Sequence, residues 1–366
     1  METLNIVFLG ISITSSWGNG HATVYRGLIR ELALRGHQIL FLERDHTLHA
    51  DSSDLTEPGY GQLEMYYSLA DLKSRFATEI AEADCVIVGS YVQDGIEISK
   101  WVQSIAQGIT AFYDLDTPIT LAGVEAGKCS YMSLPVMQEF DLYLSFTGGP
   151  ILARLENEFH VQCARPLYCA ADLSTYYPRP VEKQFDLGYL GNYAQDRQAT
   201  LNKLLVQPAT LWPEGRFVVA GALFPPEIVW PQNVEHIAYL APQQHRDFYN
   251  HQKFALNITR EEMKLAGYSP SVRLFEAAGC GVPVITDYWE GIETFFQPAI
   301  EILVVEDTRD ALQLLQRIPE EEAAAIGERA RQRVIAEHTA AHRAVELELL
   351  IAEAKVAKTV LNCCKG

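Results

Sequence analysis

The sequence predicts an α/β protein with two doubly wound domains, and three observations support this prediction. Short apolar runs alternate with segments of helical periodicity along the chain. Many of these runs end in glycine or in a polar cluster, which is typical of buried parallel strands. A proline-rich stretch at 176–180 separates two such series. We therefore predict a first domain at 1–177, a second at 178–320, and a C-terminal helical segment at 321–366 that could cross back to the first domain.

The first domain begins with a strand, a loop, a helix and a second strand. Apolar residues recur at helical spacing between Val24 and Ala33, and Gly36 ends that helix. The apolar runs of this half predict strands at 4–9, 38–42, 85–88, 110–113 and 142–146.

The second domain repeats the alternation after residue 184. Its helices are expected at 271–278 and 308–316, and residues 320–361 consist almost entirely of helix formers. The apolar runs predict strands at 185–191, 216–220, 254–258, 282–286 and 302–305.

Composition narrows the class of protein. The 366 residues include 29 Lys and Arg against 47 Asp and Glu, a formal net charge of −18. This balance argues against a nucleic-acid binder, because affinity for a phosphate backbone comes mostly from clustered cations. No apolar run approaches the length needed to span a bilayer, and the first residues do not resemble a secretory signal. The cysteines are odd in number and scattered, so we expect reduced thiols and a cytoplasmic location.

In doubly wound proteins ligands bind beyond the carboxyl ends of the strands, so the loops after strands hold the candidate residues. The first such loop contains Gly18, Asn19, Gly20 and His21. Glycines at a helix start allow close backbone approach, and the free N–H groups there favour an anion. A helix N-terminus also lowers the pKa of an imidazole, so His21 is a candidate base; the alternative is a histidine that only hydrogen-bonds within the loop.

Two other phosphate-binding patterns fail in this chain. The Gly-x-Gly-x-x-Gly fingerprint of dinucleotide-binding proteins lacks its third glycine whether it is counted from Gly10 or from Gly18. Glu43 nevertheless stands at a plausible distance for a ribose-binding acid. The segment from Gly123 to Lys128 is one residue short of a P-loop.

The stretch from Asn257 to Asp287 carries the most chemistry. Arg260 follows a strand, Ser269 or Ser271 can cap the next helix, and Pro270 suits its first position. Glu276 lies about 7–8 Å further along that helix, roughly the distance from a diphosphate to its ribose hydroxyls. The alternative for Glu276 is a surface ion pair with Arg273.

The run at 269–283 resembles the donor-binding motif of glycosyltransferases with two facing Rossmann-like domains, the B-type fold. The closest resemblance is to the CgeB-like group, named for a spore-maturation protein, and it extends to 256–260, 291–296 and 301–303. The loop at 18–21 is similar to the first-strand loop of B-type transferases in general.

This resemblance implies that 1–177 is the acceptor side and 178–320 the donor side. Glu276 would bind the donor ribose, and the backbone of Ser269, Pro270, Ser271 and Val272 would hold the diphosphate together with Arg260. The other residues implied for the donor are Gly18, Asn19, Gly20, Gly191 and Arg197. Retaining transferases of family 4 carry a further glutamate where this chain has Tyr268, so the stereochemistry stays open.

No metal or other cofactor is expected. Asp114 and Asp116 have the Asp-x-Asp shape of a metal site, but in a two-domain architecture they are better candidates for acceptor or sugar contacts, with a structural turn as the alternative. His338 and His342 lie four residues apart without a third ligand nearby, so we expect surface residues.

The predicted function is transfer of a sugar from a nucleotide-diphosphate donor to an acceptor hydroxyl, without a metal. A sugar-nucleotide 2-epimerase of the same architecture and a non-catalytic sugar-nucleotide-binding protein are the alternatives. The sequence leaves open the base and sugar of the donor, the acceptor and the oligomeric state.

Overall fold

The computed structural model describes residues 2–16, 20–45, 54–55 and 58–365. The described residues up to Tyr168 and from Ala340 onward form a first compact unit, and Cys169–Thr339 forms a second. The predicted division at 177/178 thus differs from the boundary found between Tyr168 and Cys169. Residues after 168 join the second unit because Tyr176 packs there, with its carbonyl oxygen 3.2 Å from where a Cβ on Gly279 would lie.

The first unit is built on a parallel sheet of seven strands among the described residues, in the order β3-β2-β1-β4-β5-β6-β7. The central strands are continuous apolar runs because helices cover both faces of such a sheet. The strands are β1 (Asn5–Gly10), β2 (Gln38–Arg44), β3 (Gln62–Tyr66), β4 (Cys85–Gly89), β5 (Ile109–Asp114), β6 (Leu142–Ser145) and β7 (Ala164–Pro166). The helices between them are α1 (Gly20–Leu34), α2 (Leu69–Glu82), α3 (Gly95–Ile105), α4 (Thr117–Glu125), α5 (Leu134–Gln138) and α6 (Pro150–Asn157).

The second unit contains a parallel sheet of six described strands in the order β10-β9-β8-β11-β12-β13. The strands are β8 (Phe185–Leu190), β9 (Phe217–Ala220), β10 (Val234–Ile237), β11 (Gln252–Asn257), β12 (Val284–Thr286) and β13 (Leu303–Val304). The helices are α7 (Gln195–Leu201), α8 (Gln207–Leu211), α9 (His245–Asn250), α10 (Glu261–Ala266), α11 (Val272–Gly279), α12 (Thr308–Arg317) and α13 (Glu320–Glu337). The prediction of two doubly wound α/β sheets is therefore confirmed.

The predicted C-terminal helical segment is two helices that belong to different units. The helix α13 ends at Glu337, His338 leaves helical geometry, and Thr339 pairs as a β-bridge with Ala171. The last helix, α14 (Ala340–Lys365), belongs to the first unit and packs on α1. Its Lys355 Nζ lies 2.6 Å from Asp84 Oδ1. Its Lys358 Nζ donates to Asp141 Oδ2 at 2.8 Å.

Two predictions about elements were incomplete or wrong. The edge strands β3, β7 and β10 were missed, because a strand with partly exposed faces lacks the continuous apolar run of a central strand. His338 is buried, not on the surface: its ring lies 5.1 Å from the ring of Phe275 and 5.7 Å from that of Phe295. Among the described residues, no helix has both the length and the apolar character needed to cross a membrane.

Candidate active site

Three arginines lie near one another at the carboxyl ends of β8 and β11. Arg273, in the first turn of α11, donates from Nε to the carbonyl oxygen of Leu190 at 2.5 Å and from Nη1 to Asn257 Oδ1 at 2.9 Å. Burial lowers the pKa of Arg197, and the charges of Arg273 and Arg260 lower it further. Arg197 therefore lies within electrostatic reach of both Arg273 and Arg260, and we treat the three cations as one electropositive group.

The arginine group has unused hydrogen-bond donors. Arg197 donates from Nη2 to the carbonyl oxygen of Asn192 at 3.0 Å. Asp196 is the carboxylate nearest to Arg260, with its Oδ2 3.9 Å from Nε. Within the described part of the chain, the buried Nε atoms of Arg197 and Arg260 have no hydrogen-bond partner. Buried donors of this kind need an acceptor, and an anion would supply one.

The backbone after β8 passes close to the backbone after β9, which requires glycine at position 221. A Cβ on Gly191 would lie 2.8 Å from Nη2 of Arg273 and 2.8 Å from the hydroxyl of Tyr189. A Cβ on Gly221 would lie only 2.0 Å from the carbonyl oxygen of Gly191. The predicted residues Gly191, Arg197 and Arg260 are thus brought to one end of the second sheet, beside Arg273.

The N-terminus of α11 differs in detail from the prediction. Ser271 is the N-cap residue, but its side chain does not cap the helix. Pro270 precedes this residue and therefore does not occupy the first helical position. The hydroxyl of Ser269 donates to Met263 Sδ at 3.1 Å, and Val272 begins the helix. The N–H of Leu274 donates to the carbonyl oxygen of Ser271 at 3.1 Å, so Val272 and Arg273 carry the N–H groups that this helix start offers to another acceptor.

Glu276 is buried on α11, with 6% of its surface exposed. The hydroxyl of Tyr249 donates to its Oε2 at 3.0 Å. Burial and the Glu276 carboxylate raise the pKa of Tyr249 and of Tyr176 well above the usual value. The alternative of a surface ion pair with Arg273 is wrong, because Arg273 is directed instead to Leu190 and Asn257.

Tyr268, at the position where family-4 retaining transferases carry a glutamate, has an unusual backbone. Its φ of 48° lies in the left-handed region, and its N–H donates to the carbonyl oxygen of Glu290 at 2.6 Å. Its ring lies against Gly291, where a Cβ would be 2.4 Å from the ring. The side chain is therefore held by local packing.

In the first unit, His21 lies near Asp116. Nε2 of His21 is 3.8 Å from Oδ2 of Asp116. The ring of Tyr91 is stacked with that of His21, with centroids 5.6 Å apart, and its hydroxyl donates to Asp116 Oδ2 at 2.7 Å. Burial lowers the pKa of His21, while the charge of Asp116 opposes that shift. The lowered pKa that we predicted thus has burial as its main cause. Gly20 is the first residue of α1, and Gly18 and Asn19 lie outside the described residues.

Asp114 and Asp116 have different environments. Asp114 is fully buried, and its carboxylate accepts hydrogen bonds from Tyr143 at 2.5 Å and from Thr120 at 2.7 Å. Burial raises the pKa of Asp114 to about 6. Asp116 keeps 19% side-chain exposure, so it is the member of the pair that a ligand could reach.

The carboxylate of Glu43 is hydrogen-bonded to nearby groups of the protein. It accepts from the hydroxyl of Ser12 at 2.8 Å, from the N–H of Ile13 at 2.7 Å and from the hydroxyl of Thr14 at 2.5 Å. It therefore orders the first loop and is not available as a ribose-binding acid. Across the described ranges, no group of three or more His, Cys, Asp or Glu side chains is placed to hold a metal ion.

Sequence reasoning missed three residues of these sites. Arg273 was considered only as a partner for Glu276. Its place in the first turn of α11, a helix that comes after the strand ending at Asn257, could have marked it as a candidate for the same site. Tyr249 and Tyr91 carried no sequence signal, because both reach their carboxylates through tertiary packing.

Comparison with known proteins agrees with this architecture. Residues 197–348, less than half of the chain, match the family described as glycosyl transferase-like. No curated protein matches the sequence significantly.

Solved structures match nearly the whole chain at low identity. Sucrose-phosphate synthase from Thermosynechococcus elongatus matches with a TM-score of 0.68 and 15% identity, covering 96% of this chain and 100% of the other. HepE of Anabaena, in complex with UDP and glucose, matches with a TM-score of 0.69 and 12% identity, covering 95% and 99%. An alpha-glucosyltransferase in complex with UDP and a 13-mer DNA matches with a TM-score of 0.71 and 11% identity, covering 96% and 100%.

The matched structures confirm the predicted glycosyltransferase B fold, whereas the narrower CgeB-like assignment stays a prediction. The family match over 197–348 and this fold both agree with the glycosyltransferase that the sequence predicts.

Proposed function

We propose that this protein transfers a sugar from a UDP-sugar, held by the second unit, to an acceptor hydroxyl. The observation that carries the proposal is the group of Arg197, Arg260 and Arg273 in a chain of net charge −18. The first two have buried Nε donors, and the carboxylate of Asp196 lies 3.9 Å from Nε of Arg260. Complexes of similar structures with UDP support the choice of nucleotide.

In this proposal the arginines and the N-terminus of α11 stabilise the leaving group. The bond between sugar and diphosphate breaks with developing positive charge on the sugar, while negative charge accumulates on the diphosphate. Hydrogen-bond donors that already point at this charge before the reaction lower the activation barrier, because they need not reorient as the charge develops. The arginine charge supplies this stabilisation without a metal ion.

Glu276 is assigned to the ribose of the donor. A carboxylate can accept from both ribose hydroxyls, and Glu276 lies on the helix whose N-terminus is assigned to the diphosphate. The backbone from Ser269 to Val272 and the turn at Gly191 complete the proposed donor site.

His21 is our candidate base if the reaction inverts the anomeric configuration. An imidazole with a lowered pKa is neutral at neutral pH and can accept the proton of an attacking hydroxyl. Asp116 would stabilise the imidazolium that forms. If the reaction retains configuration, His21 contacts the sugar instead.

The acceptor in this proposal is not a nucleic acid. One similar structure contains DNA, but the net charge of −18 opposes binding to a polyanion. Asp116 is the proposed contact for an acceptor or sugar hydroxyl, because its carboxylate is partly exposed.

The test begins with binding. Titration calorimetry should show that UDP binds and that uridine, which lacks the diphosphate, binds much more weakly. Titrations with GDP and dTDP show whether the site discriminates between nucleotide bases. If no nucleoside diphosphate binds, the proposal is overturned.

Turnover then separates the candidate functions. UDP-sugars are incubated with and without acceptor extracts, and released UDP and sugar products are followed by chromatography. Acceptor-dependent release of UDP supports the transferase. Interconversion of sugars without an acceptor identifies an epimerase, and binding without turnover of any UDP-sugar identifies a non-catalytic binder.

A further inference from the structure

Two buried phenols surround the carboxylate of Glu276. Tyr249, on α9, is 1% exposed and donates to Oε2 at 3.0 Å. Tyr176 is 2% exposed, and its ring plane is inclined by 64° to that of Tyr249, with centroids 6.2 Å apart. The hydrogen bond to Glu276 therefore comes from a residue 27 positions earlier in the sequence.

Tyr249 donates a hydrogen bond to the carboxylate, and Tyr176 lies close enough to interact with its charge. Burial and the Glu276 charge keep the pKa of each tyrosine well above its usual value, so both hydroxyls stay protonated. A buried carboxylate without donors would be strongly disfavoured. A carboxylate has about four acceptor positions, so the bond from Tyr249 leaves lone pairs for a ligand.

We propose that Tyr249, assisted by Tyr176, is a positioning residue that holds Glu276 in the orientation that binds the donor's ribose hydroxyls. The inference rests on the proposed function, because it assumes that a nucleoside diphosphate occupies the second unit. Neither tyrosine touches the ligand in this inference; each acts through Glu276.

If this role is right, removing the Tyr249 hydroxyl lowers the affinity only for ligands that carry the ribose hydroxyls. Without the phenol, Glu276 has more rotamers available and the ribose hydroxyls must order it on binding. A ligand that lacks those hydroxyls makes no contact with Glu276, so its affinity does not depend on the phenol.

The experiment compares UDP with 2′,3′-dideoxy-UDP by calorimetry on three proteins. These are the native protein, Tyr249→Phe, and the control Tyr66→Phe, which removes from the first unit a buried hydroxyl that has no hydrogen-bond partner among the described residues. We expect Tyr249→Phe to weaken UDP about five-fold, the effect of one net hydrogen bond, and to leave dideoxy-UDP unchanged. Tyr66→Phe should change neither ligand.

Each other result has a distinct meaning. Equal weakening of both ligands by Tyr249→Phe would overturn the positioning role in favour of a purely structural one. Equal affinity of the native protein for both ligands would remove Glu276 from the ribose site and so overturn the inference. Absence of UDP binding to the native protein would overturn the proposed function itself. If Tyr249→Phe does not fold, Tyr176→Phe is measured with the same expected outcomes.

Discussion

Nε2 of His37 lies 2.6 Å from Oε1 of Glu348, which joins the start of β2 to the C-terminal helix α14. Nδ1 of His37 accepts from the N–H of Leu4 at 3.1 Å, so we assign the ring proton to Nε2, which donates to the carboxylate. Arg35 donates to both oxygens of Glu348, at 2.5 and 2.6 Å. These hydrogen bonds link α14 to the residues between α1 and β2 within the first unit.

Replacing Glu348 by glutamine should loosen α14. Removing the charge of a buried paired carboxylate costs about 3 kcal/mol, and less here because Arg35 is partly exposed. Hydrogen bonds from Arg35 hold the pKa of Glu348 below its usual value, so its contribution to stability is present above pH 4.5 and is lost as the pH falls through the lowered pKa. Hydrogen exchange in α14 at neutral pH should therefore be faster in Glu348→Gln.

The control for this variant is Glu353→Gln, an exposed change on the same helix. It should exchange like the native protein at every pH. Equal protection of α14 in Glu348→Gln and the native protein would contradict the role of this cluster.

Asp114 should make the first unit less stable as the pH rises. Its pKa is raised to about 6 by burial, from 3.8 in the unfolded chain, so the folded state binds more protons between these values. The contribution of Asp114 to the free energy of unfolding is therefore greatest below pH 3.8 and is lost as the pH rises through 6. Each unit of pKa shift corresponds to about 1.4 kcal/mol of this contribution. Asp114→Asn should show a flatter dependence of the urea midpoint on pH over this range. An unchanged slope would contradict the raised pKa.

Removing Arg197 or Arg260 should weaken UDP specifically through its diphosphate. Each alanine variant loses charge-assisted hydrogen bonds worth about 1.5–3 kcal/mol, which is about 10- to 100-fold in affinity. Uridine binding should not change. Arg309→Ala, an exposed arginine on α12, is the matched control. The assignment of these arginines fails if UDP and uridine are weakened equally.

His21→Ala should lower kcat by about 100-fold or more while UDP affinity stays constant, if His21 is the base. The pKa of His21 is lowered from 6.5, so the activity of the native enzyme should be constant at neutral pH and fall only below pH 6.5. Asp116 raises that pKa, so Asp116→Asn should move the acidic limb to still lower pH. Unchanged turnover in His21→Ala would exclude this role.

Removal of divalent ions should not reduce transfer. In the proposed mechanism the charge of Arg197, Arg260 and Arg273 replaces that of a metal on the diphosphate. Rates measured with excess EDTA should equal those with added Mg²⁺ or Mn²⁺. A loss of activity that either cation restores would contradict the proposal.

The sequence by itself determined the parallel α/β architecture and most of the strands. These features depend on short-range patterns, such as the apolar run of β4 and the glycines that end α1 and α11, which a single segment of chain contains in full. The same patterns led to Arg260 at the end of a strand and to Glu276 on a following helix as candidates, whereas Gly191 came from the resemblance to B-type transferases.

Only the tertiary structure decided which side chains meet. Arg273 reaches a carbonyl 83 residues away, Tyr249 finds Glu276 across 27 residues, and His37 finds Glu348 across 311. No local pattern encodes such pairs, since they depend on how whole elements pack. The physical reason is burial: a buried charge needs a partner, and the packed sheet and helices determine which partner lies within reach.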